Sequence, residues 1–91
     1  MKVRVLIRLK PGIMDVQGAA VQRALGGLGF ADARGLRVGK LIELDVDAAT
    51  PAQARNRVDE MCQRLLANTI LEDYAIDVEG AERLAPSEQV R

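Results

Sequence analysis

Few residues in this chain are able to do chemistry, and their spacing argues against most reactions. Histidine is absent from the 91 residues, which removes the commonest general base, the commonest metal ligand and every Ser-His or Cys-His nucleophile. Cys62 is the only cysteine, so no intramolecular disulfide can form. Its place on the apolar face of a helical stretch predicts a buried structural thiol. Glu72 and Asp73 are adjacent, so in a strand they point to opposite faces and cannot converge on one substrate as an acid–base pair. Asp45 and Asp47 would share a strand face, but two carboxylates without further oxygen donors fall short of a metal site. Gly39-Lys40 lacks the flanking glycines and the Ser or Thr of a phosphate loop, and a strand follows where that loop needs a helix. These residues predict no catalytic, cofactor or metal site within the chain.

Composition narrows the partners. Phe30 and Tyr74 are the only aromatics, and the formal net charge is zero. Single-stranded nucleic-acid binders stack bases on aromatic rings and present basic fields, so nucleic acid is not an expected partner. No apolar stretch approaches the roughly 20 residues that cross a bilayer. The chain opens into a strand-like run without a signal peptide's apolar region, so a soluble, cytoplasmic protein is expected. A single small domain is expected too, burying only about 60% of the surface its unfolded chain exposes. Such a core makes self-association a reasonable expectation.

The elements that would position these residues follow from periodicity. Val3, Val5, Ile7 and Leu9 alternate with Lys2, Arg4, Arg8 and Lys10, a half-buried strand that Pro11-Gly12 ends. Asp15 is placed to cap a helix, whose stripe is Val21, Ala24, Leu25 and Leu28 and whose stop is Gly29. A strand centred on residues 33–38 and another carrying Ile42, Leu44 and Val46 would form a hairpin around Gly39-Lys40. Thr50-Pro51-Ala52-Gln53 predicts a capping box with proline at the first helical position. The second helix turns Ala54, Val58, Met61, Cys62, Leu65 and Leu66 to one side, and Asn68 closes its end. Tyr74, Ile76 and Val78 then alternate as a last strand.

The order β-α-β-β-α-β predicts an α+β two-layer sandwich, ferredoxin-like, with a four-stranded antiparallel sheet and two helices on one face. The folded domain spans residues 1–79, and residues 80–91 form a loosely ordered tail. The bare sheet face would carry Lys2, Arg4, Arg8, Lys10, Leu6 and Leu41, either solvated or as an oligomer surface.

Several strings also match a known family. Leu9-Lys10-Pro11-Gly12, Asp15-Val16-Gln17-Gly18, Leu28-Gly29-Phe30, Arg37-Val38-Gly39-Lys40, and Met61 to Asn68 running on to Glu72-Asp73-Tyr74 resemble, in order and separation, the PurS family. These are the small subunits of bacterial and archaeal phosphoribosylformylglycinamidine synthase. The match covers roughly residues 1–78. Val16 and Thr69 stand where the family commonly has proline, at helix boundaries where proline mainly fixes backbone geometry.

The resemblance implies a non-catalytic subunit of an ATP-dependent amide-N-donor ligase complex, in the fourth step of purine synthesis. A glutaminase subunit would release ammonia. A large synthetase subunit would use it, with ATP, to convert formylglycinamide ribonucleotide to the amidine. ATP, Mg and glutamine would belong to those partners, and no cofactor to this chain. A homodimer or homotetramer would bridge the two and assist ammonia transfer. The motif residues would then serve subunit contacts: Arg37 and Lys40 first, next Asp15, Gln17 and Gly18, then Asn68, Glu72 and Tyr74. Asp15 also has a purely structural reading as a cap, and Gly18 as a packing residue. The rival from another class is a ferredoxin-like regulatory module binding a small molecule at a dimer interface. An acylphosphatase-like hydrolase is disfavoured, because that family's loop signature is missing.

Overall fold

The structure, a computed structural model, describes residues 1–79; the expected tail of residues 80–91 lies outside the described residues. Strand β1 (Lys2–Leu9) is followed by helix α1 (Val16–Gly27), strand β2 (Lys40–Asp45), helix α2 (Pro51–Met61) and strand β3 (Glu72–Val78). A single π turn, Cys62–Leu66, continues α2.

The sheet has the order β2-β1-β3, antiparallel throughout. β1 is central because its alternation buries Val3, Val5 and Ile7 completely or nearly so. Val5 faces Ile42 on one side and Ile76 on the other. Beyond the strand ends, the Met1 ammonium donates to Val46 O and Val46 N donates to Met1 O, extending the β1–β2 pairing. α2 lies across the β1–β3 side, sealing Ala54, Val58 and Cys62 against Tyr74, Ile76 and Val78. Each fully buried aliphatic of that cluster contributes about 1.5–3 kcal/mol.

The capping box forms with one change. Thr50 Oγ accepts from Gln53 N at 3.2 Å, but Gln53 Oε1 reaches Ala49 N rather than that of Thr50. The π turn also alters the expected apolar face of α2. Ala67 N donates to Cys62 O, five residues back, and the wider turn leaves Leu65 83% exposed. Asn68 does not cap the helix, whose last turn ends at Ala67. Its side chain instead accepts from Ile70 N in the turn toward β3.

Two expectations are corrected. The sheet has three strands among the described residues, not four, because residues 33–38 form no strand. The amides of Leu36 and Val38 donate to side chains of the α1 segment, and Gly35 adopts φ +62°; both remove the segment from a ladder. The expected hairpin around Gly39-Lys40 is therefore absent.

The second correction concerns α1, which does not lie beside α2 on the sheet. Its only buried residue is Gly18, and Val21 and Leu28 of its apolar stripe are exposed. The molecule is correspondingly long, 49 × 26 × 20 Å with a radius of gyration of 15.4 Å, against about 12 Å for a compact domain of this size.

Candidate functional site

Asp15 organises one end of the molecule. The chain leaves β1 through Gly12 at φ +89° and reaches Asp15, which caps α1 by accepting from Gly18 N at 2.8 Å. The other carboxylate oxygen accepts from Val38 N, also at 2.8 Å. The Val38 and Gly18 amides, in that order, hold the Asp15 carboxyl below its ordinary value of 3.8, with the Arg37 charge adding to them. A Cβ on Gly18 would stand 2.2 Å from Asp15 Oδ2, so glycine there leaves room for the carboxylate to face both ways.

The return segment is held at two further points. Gln22 Oε1 accepts from Leu36 N at 3.1 Å, and the Arg37 guanidinium donates to the Leu9 carbonyl. Gly39 then passes close to β1, where a Cβ would lie 2.5 Å from Ile7 O. This close approach brings Lys40 into the sheet opposite Ile7. Lys40 Nζ reaches over β1 to within 3.5 Å of Glu72 Oε2. Glu72 is the less exposed partner, and its other oxygen accepts from Asn68 N at 2.8 Å.

Seven of the eight candidate contact residues, Asp15, Gln17, Gly18, Arg37, Lys40, Asn68 and Glu72, thus gather at one end of the sheet. Asp15, Gln17, Lys40 and Glu72 line a shared open cleft of about 370 Å³ with Arg8 and Met14. Both signs of charge are present, and Lys40 and Glu72 pair across it. The cleft offers charged and polar contact groups.

Tyr74 does not join them. It is buried under α2, and its hydroxyl donates to Asp59 Oδ1 at 2.6 Å, while Gln63 Nε2 donates to Oδ2. Burial raises the Tyr74 phenol, and Asp59, as acceptor of its hydrogen bond, raises it further. Burial, with the nearby Asp59 charge, also pushes Cys62 up to about 11. Burial and the raised value both disfavour the reactive thiolate.

Gln22 and Asp59 were not among the sequence candidates. Gln22 lies seven residues after Asp15, two helical turns along the same face, a spacing that marks it as a second clamp for whatever passes that face. Asp59 carries no such signal. Among the described residues, no group of three or more His, Cys, Asp or Glu is placed to hold a metal ion, and no helix is long and apolar enough to cross a membrane.

A second surface lies on the same sheet face as α2, over the part of β2 that α2 does not cover. Leu44, Met61, Leu65 and Leu66 line a groove of about 310 Å³ between β2 and α2, rimmed by Arg57, Glu60 and Arg64. It occupies the place where a two-helix sandwich would seat its first helix.

Residues 2–80 match the family model described as PurS, phosphoribosylformylglycinamidine (FGAM) synthase. The PurS subunit of that synthase from Bacillus subtilis is 41% identical over 78 residues, covering 86% of this chain and 92% of the relative. Its Synechocystis counterpart is 39% identical over 79 residues, covering 87% of this chain and 79% of its own. The crystal structure of Methanocaldococcus jannaschii PurS superposes with a TM-score of 0.80 at 37% identity, covering 89% of this chain and 98% of that one. It is described as one of the subunits of formylglycinamide ribonucleotide amidotransferase in the purine biosynthetic pathway.

Proposed function

This chain belongs to the PurS family, the small subunits of phosphoribosylformylglycinamidine synthase, and from that membership we propose that it bridges the glutaminase and synthetase subunits of the complex. In this reading the chain does no chemistry. Glutamine, ATP and Mg²⁺ are handled by the partners, in the cytoplasm, and the bridge keeps released ammonia on a short path between their sites.

The observation that carries the reading is the unpaired helix α1. A chain of this size leaves an amphipathic helix standing off its own sheet, with Val21 and Leu28 exposed. It also leaves an apolar groove open beside α2. Apolar surface of this kind is stabilised by burial in a partner. Asp15 and Gln22 fix α1 to the return segment, and Arg37 ties that segment to the end of β1, so the helix is presented as a preformed arm. The occupant that fits the groove is α1 of a second copy, which would restore the two-helix layer in each sandwich. A homo-oligomer built this way leaves the cleft of Asp15, Gln17, Lys40 and Glu72 to meet the larger subunits.

The test is assembly. Mixed with the matching glutaminase and synthetase subunits in the presence of ADP and glutamine, the chain is expected to co-elute with both on size exclusion. Arg37→Ala with Lys40→Ala is expected to lower that yield without unfolding the chain. Co-elution of the two large subunits to the same extent without this chain would refute the bridging role.

A further inference from the structure

We propose that the outer edge of β3 docks an extended segment of a partner protein that carries Lys or Arg at alternate positions. This surface adds to the subunit role above, and rests on it only for which proteins supply that segment.

With β1 in the centre, β3 is an edge strand of seven residues. Glu79 N donates to Lys2 O and Lys10 N donates to Leu71 O. Antiparallel alternation then turns the odd-numbered residues of β3 toward β1 and aims the N–H and C=O of Tyr74, Ile76 and Val78 outward. No described strand takes them up. Such an edge is a template for another strand unless it is blunted. β3 contains no proline, and its register with β1 runs without a bulge.

Charge selects the strand. On the open sheet face, Lys2 and Arg4 face Asp45 and Glu43 of β2, while Arg4 and Arg8 face Asp77 and Asp73 of β3. Arg4 Nε lies 3.6 Å from Glu43, and Lys2, Arg4, Asp77 and Glu79 line one small cleft. A basic strand thus already lies between two acidic ones. β1 shows the kind of strand β3 accepts: basic toward the open face, aliphatic toward the core.

A second β3 does not meet that description. Two-fold pairing centred on Ala75 or Ile76 joins the outward backbone groups, but it sets Asp73 of one copy opposite Asp77 or Glu79 of the other. Like charges directly opposite destabilise a sheet. The edge therefore discriminates against self-pairing and in favour of a basic strand.

Hydrogen–deuterium exchange on the full chain reads this edge directly. The probe is a synthetic peptide of the Lys2–Lys10 sequence, compared with a counterpart bearing Glu at every basic position. The basic peptide is expected to slow exchange at Tyr74, Ile76 and Val78 by about tenfold or more, and the acidic counterpart to leave it unchanged. Asp73→Asn with Asp77→Asn should remove most of the protection while circular dichroism stays the same. In the assembled complex the same three amides should be protected.

Equal effects of the two peptides overturn the proposal, as does a complex in which these amides exchange as in the free chain. Protection in the free chain overturns it too: a concentration-dependent effect would assign the edge to a second copy, a concentration-independent one to residues 80–91. If no complex forms, the bridging role fails while the peptide comparison still decides the edge.

Discussion

Asp15 joins two pieces of chain with one carboxylate, because its oxygens accept separately from Gly18 N and Val38 N. The ionised form makes both bonds, so the folded chain holds the proton less tightly than the unfolded one. The stabilisation is complete above the ordinary value of 3.8 and is lost as pH falls through the lower folded value. Amide shifts of Val38 and Gly18 should move together in an acid titration, and Asp15→Asn should abolish that transition. Gly18→Ala separates the cap from the helix: alanine raises helix propensity by about 1 kcal/mol, yet its Cβ displaces the carboxylate. The expected result is little change in melting temperature with faster hydrogen exchange at Val38. At Cys62 the sign is opposite. The unfolded thiol ionises near 9.0 and the folded one near 11, so stability falls as pH rises across that interval. At pH 8 a thiol reagent should label Cys62 only in denaturant.

The elements differ in how much of them the sequence declares. β1 and β3 alternate, with Leu6 and Ala75 the apolar exceptions, and were legible, as was the start of α2, where Thr50 and Pro51 supply both cap and backbone geometry. Residues 33–38 were misleading. Leu36 and Val38 suggest a strand, but the partners of their amides are Gln22 and Asp15, set by tertiary contact rather than local pattern. The stripe of α1 shows that the helix has an apolar side, and periodicity says nothing about whose surface covers it. The gathering of seven candidate residues at one end came from family strings rather than spacing, which is why Tyr74, conspicuous in the same string, proved to be a core residue. Its hydroxyl ties β3 to α2 through Asp59. Tyr74→Phe should therefore lower stability by about 1.5 kcal/mol, the lower end for a bond to a charged group, as read by urea denaturation with an unchanged m-value.

At the scale of the whole molecule, the elongated shape and the stand-off of α1 leave apolar surface that burial against a partner would stabilise. Val21→Glu with Leu28→Glu places charge on the exposed stripe without touching the described core. Sedimentation should then show a monomer where the unaltered chain self-associates, with the circular dichroism of the sheet retained. The measurement that bears most directly on the bridging role is the rate of amidine formation by the glutaminase and synthetase subunits, with and without this chain, from glutamine and from added ammonium. The bridging account predicts that the glutamine-dependent rate requires the chain, whereas the ammonium-dependent rate of the synthetase does not. Full glutamine-dependent activity in its absence would contradict it.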